Sequence, residues 1–89
     1  MATRPTTPAA TVTVRYFAGA RAVSGTDTET RDAASLDQLV GQLVDAHGER
    51  MARVLTACSF LVDGTQTRDR SMRLSTGAVV DVLPPFAGG

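Results

Sequence analysis

The chain has 89 residues, and its nine basic residues, all of them Arg, balance nine acidic residues, so its formal net charge is zero. This length fits one domain with a modest core, and the neutral balance argues against non-specific binding to nucleic acid or to membranes. No apolar run approaches the roughly 18 residues of a transmembrane helix. The single cysteine, Cys58, excludes an internal disulfide, so we expect a cytoplasmic protein.

The N-terminal segment, residues 1–10, is polar and rich in proline. Such a composition buries little apolar surface, so we expect a disordered leader ahead of a domain spanning residues 11–83. The leader lacks the apolar core of a signal peptide.

The domain begins with a strictly alternating stretch from Thr11 to Phe17. This pattern predicts a half-buried strand whose Val12, Val14 and Tyr16 side chains face the core. Residues 18–25 are expected to be a connection, and residues 26–32 a short edge strand that returns antiparallel.

Residues 35–47 carry the clearest helix pattern. Ser35 is a capping residue, and Gln38, three positions later, completes a capping box. The apolar side chains recur at helical spacing, and Gly48 stands where a glycine commonly ends a helix. The apolar stripe consists of Leu36, Leu39, Val40, Leu43 and Val44.

The second half of the chain predicts a short helix and a returning set of strands. Asp81, inside the last strand, is expected to face water, which directs Val80 and Val82 into the core. Leu74 is expected to fill the core from an irregular connection. The predicted elements are a helix over Glu49–Thr56, a strand over Cys58–Val62, a turn at Asp63-Gly64, a pairing segment Thr65–Thr67, a connection over Arg68–Thr76 and a strand over Ala78–Leu83. Together they predict an α+β domain with one main helix packed on one sheet face.

Within this domain the sequence offers no catalytic constellation. There is no Gly-rich phosphate loop and no set of metal ligands, so neither a metal nor a bound cofactor is expected. Cys58 lies in an apolar run and is interpreted as a structural thiol. The chemically distinctive group is instead the α-carboxylate that follows Gly88 and Gly89.

Residues 84–89 predict a mobile tail that delivers this carboxylate to a partner. Pro84 and Pro85 stiffen its start, and Phe86 supplies an anchor. Ala87, Gly88 and Gly89 then thread forward, because glycine has no Cβ and passes through a narrow channel. Six extended residues reach about 20 Å, at roughly 3.3–3.6 Å each. A free carboxylate is unreactive at neutral pH, so Gly89 would have to be activated, for example by adenylation.

The opening segment from Val12 to Arg21 and the closing segment from Gly77 to Gly89, with its Leu-Pro-Pro-Phe-Ala-Gly-Gly ending, resemble the MoaD/ThiS family of sulfur carriers. The likeness extends over residues 11–89 and implies a β-grasp (ubiquitin-like) fold, with a mixed sheet. It implies that the terminal glycine is adenylated by an E1-like adenylyltransferase and converted to a thiocarboxylate with sulfur from a donor protein. The molybdopterin synthase large subunit would then use that sulfur to build the molybdopterin dithiolene.

Other hypotheses about the function stay open at this point. A sister carrier of the same fold would serve thiazole or cysteine synthesis, with the same chemistry up to the thiocarboxylate. A ubiquitin-like modifier would instead join Gly89 to lysines of target proteins. The least specific reading is a β-grasp binding module with an inert tail.

Alternation also predicts a partner-binding face. If the helix covers one side of the sheet, Phe17, Leu61 and Leu83 lie on the other side. In the topology that the resemblance implies, the first and last strands are parallel neighbours, so Phe17 and Leu83 should lie close to the start of the tail. Exposed apolar side chains beside a reactive tail are typical of a docking surface.

Overall fold

The computed structural model describes residues 10–85. Within this range the chain forms three helices and a single five-stranded sheet, with strand order β2-β1-β5-β3-β4. The elements are β1 (Ala10–Tyr16), α1 (Ala18–Ser24), β2 (Thr28–Ala33), α2 (Leu36–His47), α3 (Glu49–Ala57), β3 (Ser59–Val62), β4 (Thr65–Thr67) and β5 (Val79–Leu83).

The first and last strands lie side by side in the middle of the sheet. β1 and β5 are parallel, whereas β2 pairs antiparallel with β1 at one edge. At the other edge β3 pairs antiparallel with β5 and with β4. A parallel pair requires a long crossover, and the helices provide it. This is the mixed sheet of a β-grasp fold, which confirms the expected fold class.

The core lies between the inward side chains of the central strands and the apolar stripe of α2. Val12 and Val14 of β1 and Val80 and Val82 of β5 are buried, as the alternation predicts. Leu74 is also buried and closes the core from the connection after β4, again as expected. The helical side chains that complete the core are Leu36, Leu39, Val40, Leu43, Met51 and Leu55.

The main helix, α2, begins and ends where its capping residues predict. Ser35 Oγ accepts a hydrogen bond from the backbone N–H of Gln38, at 3.1 Å. The Gln38 side chain reaches back one residue further than in a capping box, because its Oε1 accepts from the N–H of Ala34 at 2.5 Å. Gly48 ends the helix at φ 88°, a left-handed conformation that favours glycine, and its N–H donates to Val44 at 2.7 Å.

The hairpin of β3 and β4 confirms the predicted turn and the pairing of residues 65–67. Asp63 and Gly64 have φ values of 51° and 86°, the pair of left-handed residues that a tight two-residue hairpin requires. The Asp63 side chain also accepts a hydrogen bond from the N–H of Val79, at 2.9 Å. This contact ties the turn to the start of β5.

The segment between β1 and β2 differs from the prediction. Residues 18–25 were expected to be a connection, but residues 18–24 form helix α1, so that expectation was wrong. The segment has no apolar stripe, because Ala20 is its one buried residue. The helix forms nonetheless because Ala favours helical backbone and because Gly25, at φ 76°, closes it through an N–H bond to Arg21 of 2.9 Å. β1 also begins at Ala10, one residue before the expected start of the domain.

Candidate functional site

The reactive end of the predicted tail lies outside the described residues. This holds for Phe86, Ala87, Gly88 and Gly89, the residues on which the predicted chemistry depends. The structure does describe the start of the tail, where Pro84 is half-buried and Pro85 is exposed. The candidate site therefore comprises this start together with Leu83, which we call the tail root (residues 83–85), and the sheet around it.

The parallel pairing of β1 and β5 brings Phe17 to the tail root. Both strands run in the same direction and end at the same edge of the sheet. The N–H of Phe17, directly after β1, donates to the carbonyl of Val82 at 3.3 Å. Phe17 is 36% exposed and is the one large apolar side chain classed as exposed among residues 10–85. The sequence thus correctly placed Phe17 beside the start of the tail.

Leu61 and Leu83 lie on the same open side of the sheet. In the register of β3 and β5, Leu83 is opposite Ser59 and Leu61 is opposite Asp81. The two leucines are thus on neighbouring strands and one step apart on the same face. Both are half-buried. We call Phe17, Leu61 and Leu83 together the open face.

The open face also contains an ion pair that the sequence interpretation placed differently. Asp81 was expected to face water, but it is only 6% exposed, so that expectation was wrong. It does point to the open side, where Arg15 of β1 lies directly opposite in register. Arg15 Nε lies 2.5 Å from Asp81 Oδ1, and Nη2 lies 2.8 Å from Oδ2. The guanidinium therefore covers the carboxylate and shields it from solvent.

The same guanidinium links the ion pair to Phe17. The Arg15 carbon Cζ lies 5.8 Å from the centre of the Phe17 ring, within the range of a cation–π contact. The hydrogen bonds to Asp81, together with its negative charge, raise the pKa of Arg15 above its ordinary value. The open face is therefore a mixed surface, with a fixed ion pair between its apolar side chains. Arg and Asp at outward positions of parallel neighbouring strands were a signal for this pair.

A second polar cluster lies on the helix side of the sheet. Glu29 of β2 accepts hydrogen bonds from Tyr16 Oη at 2.5 Å and from Arg31 Nε at 2.8 Å, and its Oε2 lies 2.6 Å from His47 Nε2. Burial raises the pKa of Glu29, but the bonds from Tyr16, His47 and Arg31 outweigh it and leave that pKa below its ordinary value. Burial, with the bond to Glu29, raises the pKa of Tyr16. The cluster anchors β2 to the end of α2.

Cys58 is half-buried at the end of α3. Burial raises the pKa of its thiol to about 11. A thiol with this pKa is protonated at neutral pH and is a weak nucleophile, in agreement with the structural role predicted for it.

Among residues 10–85 there is no cluster of side chains that could hold a metal ion. No helix in this part of the chain is long and apolar enough to cross a membrane.

The family model described as the ThiS family matches residues 14–89. The chain belongs to the ThiS family. This confirms the resemblance to the MoaD/ThiS sulfur carriers, and it makes the protein a small carrier or ubiquitin-like modifier of this type, not itself a catalytic enzyme. No curated protein sequence matches the chain significantly.

Solved structures share the fold of this ThiS-family chain. A putative molybdopterin converting factor subunit 1 from Pyrococcus furiosus is 25% identical, with a TM-score of 0.77 over 85% of this chain and 98% of that one. The small archaeal modifier protein 1 from Methanosarcina acetivorans is 20% identical, with a TM-score of 0.80 over 91% and 98%. A complex of subunits 1 and 2 of the molybdopterin-converting factor from Helicobacter pylori contains a chain that is 24% identical, with a TM-score of 0.70 over 89% and 99%.

Proposed function

We propose that this protein is the sulfur carrier for molybdenum cofactor biosynthesis. Its match to the ThiS family extends to Gly89, and the protein of Pyrococcus furiosus that is 25% identical to it is named as a molybdopterin converting factor subunit. The observation that carries the proposal is the parallel pairing of β1 with β5, which groups the open face around the tail root. A carrier needs a docking surface next to its reactive tail, because a partner must hold the domain while it acts on the tail.

The proposed chemistry takes place on the carboxylate of Gly89. An E1-like adenylyltransferase joins the carboxylate to AMP from ATP and releases pyrophosphate. Hydrosulfide, released by a donor protein, then attacks the carbonyl carbon, forms the C–S bond and displaces AMP, which leaves a thiocarboxylate. The molybdopterin synthase large subunit receives this tail and passes its sulfur to the pterin precursor. Water hydrolyses the C–S bond and supplies the oxygen with which the carrier returns as the carboxylate. The carrier itself needs no bound cofactor, and we place this cycle in the cytoplasm.

The open face gives the large subunit a surface to bind. Phe17 supplies exposed apolar area, and Leu83, the first residue of the tail root, extends it together with Leu61 on the neighbouring strand. The ion pair of Arg15 and Asp81 lies among them and keeps its geometry through two hydrogen bonds. A preformed surface loses little side-chain freedom on binding, which favours affinity. Pro84, Pro85, Phe86 and Ala87 would then lead the tail from this surface to the active site of the partner.

Incubation with the activating enzyme of the same genome, ATP and sulfide tests the proposal by intact-protein mass spectrometry. We expect the exchange of one oxygen for sulfur at Gly89, followed by loss of the sulfur when large subunit and pterin precursor are added. Transfer to a thiazole synthase instead would identify the sister carrier. An unchanged mass would contradict both.

A protein modifier is the second candidate. The fold is shared with the small archaeal modifier protein 1, and the chain itself has no lysine. An acceptor lysine would therefore have to belong to another protein. In the same incubation with a cell extract, a modifier would appear as covalent conjugates that survive reducing, denaturing electrophoresis, whereas a carrier would gain sulfur alone.

A further inference from the structure

Beside the tail root the protein also has a groove that takes no part in the proposed chemistry. It has a volume of about 210 Å³ and lies between the end of α3, the start of β3 and the residues that follow β4. Its lining includes Ser59 and Phe60 of β3, Thr67 of β4 and the two arginines that follow, Arg68 and Arg70. The side chain of Phe60 points to the helix side of the sheet, whereas Ser59 is paired with Leu83 of the open face. The groove therefore lies beside the open face, at the end of the sheet where β3 begins, and its lining includes none of Phe17, Leu61 and Leu83.

The groove carries two positive charges that have no carboxylate partner within residues 10–85. Arg15, Arg21 and Arg31 each pair with an acidic residue, whereas no ion pair is formed by Arg68 or Arg70. Arg70 is held in place by the ring of Phe60, whose centre lies 5.7 Å from its Cζ.

Asp69 lies between these arginines in sequence but does not neutralise them. Its Oδ1 accepts hydrogen bonds from the backbone N–H of Ser71 at 3.0 Å and from the Ser71 hydroxyl at 2.5 Å. No acidic side chain lines the groove. Two exposed guanidinium groups at a groove without a counter-charge are complementary to a ligand with at least two carboxylates.

The position of the groove connects it to the tail. Ser59, which lines the groove, is the register partner of Leu83, the last residue of β5. The groove therefore begins one strand away from the tail root. Nucleotide phosphates are a poor fit here during adenylation, because a tail that entered the active site fully extended would carry its carboxylate up to about 20 Å from the root. Carboxylates of a partner protein suit this position better.

We infer that this groove binds an acidic segment of the activating enzyme, with two carboxylates on Arg68 and Arg70. The inference rests on the proposed function insofar as it names that partner. The segment would hold the tail root on one side while the open face stays accessible. A chain with zero net charge could in this way still recognise an acidic partner through an uneven distribution of its arginines.

Charge reversal tests the inference. We expect the double variant Arg68→Glu/Arg70→Glu to bind the activating enzyme about tenfold or more weakly in calorimetry, with a smaller dependence on salt. The matched control Arg50→Glu/Arg53→Glu changes the net charge by the same amount on the exposed surface of α3, outside the groove, and should lose less than about twofold. Thermal unfolding would confirm that both variants fold. Equal losses in the two variants, or no loss in either, would overturn the inference.

A titration of the wild-type protein separates this inference from the proposed function. When a hexaglutamate peptide is added at low salt, the amide NMR signals of the groove should shift at lower peptide concentrations than those of the open face. The groove residues to follow are Ser59, Phe60, Arg68 and Arg70. A stronger response to ATP or inorganic phosphate, or shifts spread over all exposed arginines, would overturn the groove as a site for carboxylates. If the wild type is never adenylated and yet the peptide binds here, the proposed function fails and the groove stands.

Discussion

Arg15 of β1 and Asp81 of β5 form a two-point ion pair across the parallel centre of the sheet, with N···O distances of 2.5 and 2.8 Å. The carboxylate is almost fully covered, whereas the Arg15 side chain remains 49% exposed. The pair joins the two strands whose ends carry Phe17 and the tail root. We expect it to hold the open face in shape, and its removal should affect stability.

Asp81→Ala should lower the free energy of unfolding by about 1–2 kcal/mol, because it removes two charge-assisted hydrogen bonds from a covered site. Urea unfolding followed by circular dichroism measures this. Asp27→Ala is the matched control, since Asp27 forms an exposed pair with Arg21 at 3.4 Å, and it should cost less than about 0.5 kcal/mol. Equal effects of the two substitutions would show that the ion pair of Arg15 and Asp81 has no special weight.

Phe17→Asp should weaken binding to the synthase large subunit by about tenfold or more, because it places a charge in the apolar part of the docking surface. Its exposure in the free protein means that folding should change little. Thr30→Asp is a suitable control. Thr30 is exposed on the edge strand β2, away from the tail root, and its substitution should leave affinity unchanged within about twofold. Calorimetry that gives the same affinity for Phe17→Asp and wild type would remove the open face from the proposal.

Deletion of Gly89, or Gly88→Val, should abolish thiocarboxylation. The deletion moves the carboxylate back by one residue, and the valine adds a branched Cβ to a tail that, as proposed, enters a narrow channel of its partner. Within residues 10–85 the last core residue is Val82 of β5. We expect the terminal glycines to lie outside the core, so the free energy of unfolding should change by less than about 0.5 kcal/mol. Ala87→Gly, which adds no bulk, is the control and should still accept sulfur. Sulfur on the Gly89 deletion variant in intact-mass spectra would refute the assigned role of Gly89.

Acid should destabilise the protein partly through Glu29. Its pKa in the folded protein lies below the ordinary value of 4.5, owing to the bonds from Tyr16, His47 and Arg31. The stability that it contributes is therefore complete above about pH 4.5, and it is lost as the pH falls through the folded-state pKa.

Urea midpoints measured from about pH 6 down to about pH 3 test this, because Glu29→Gln cannot titrate and should lose less stability than wild type over that interval. Asp69, whose pKa is also lowered, by its bonds to Ser71, titrates in both proteins and cancels in the comparison. Identical pH profiles for wild type and Glu29→Gln would mean that the cluster contributes nothing to acid stability.

Local patterns were sufficient for most of the secondary structure. The alternation in residues 11–17 predicted β1 and its buried side chains, and the spacing of leucines with Ser35 and Gly48 predicted α2. These signals succeed because the periodicity of a strand or a helix depends only on residues that are close together in the sequence. The helix α1 was missed, because a short Ala-rich segment with a single buried residue has no periodicity to detect.

The sequence by itself determined the fold class, the family and the glycines at the end of the tail, since each depends on residue type and on spacing along the chain. Only the tertiary structure decided that Asp81 is covered by Arg15, 66 residues away in sequence, and that Arg68 and Arg70 border a groove beside Ser59. Both depend on which strands become neighbours and in which register. Strand order and register are fixed by long-range packing, and a one-residue shift of β1 or β5 would turn Arg15 or Asp81 to the other face of the sheet.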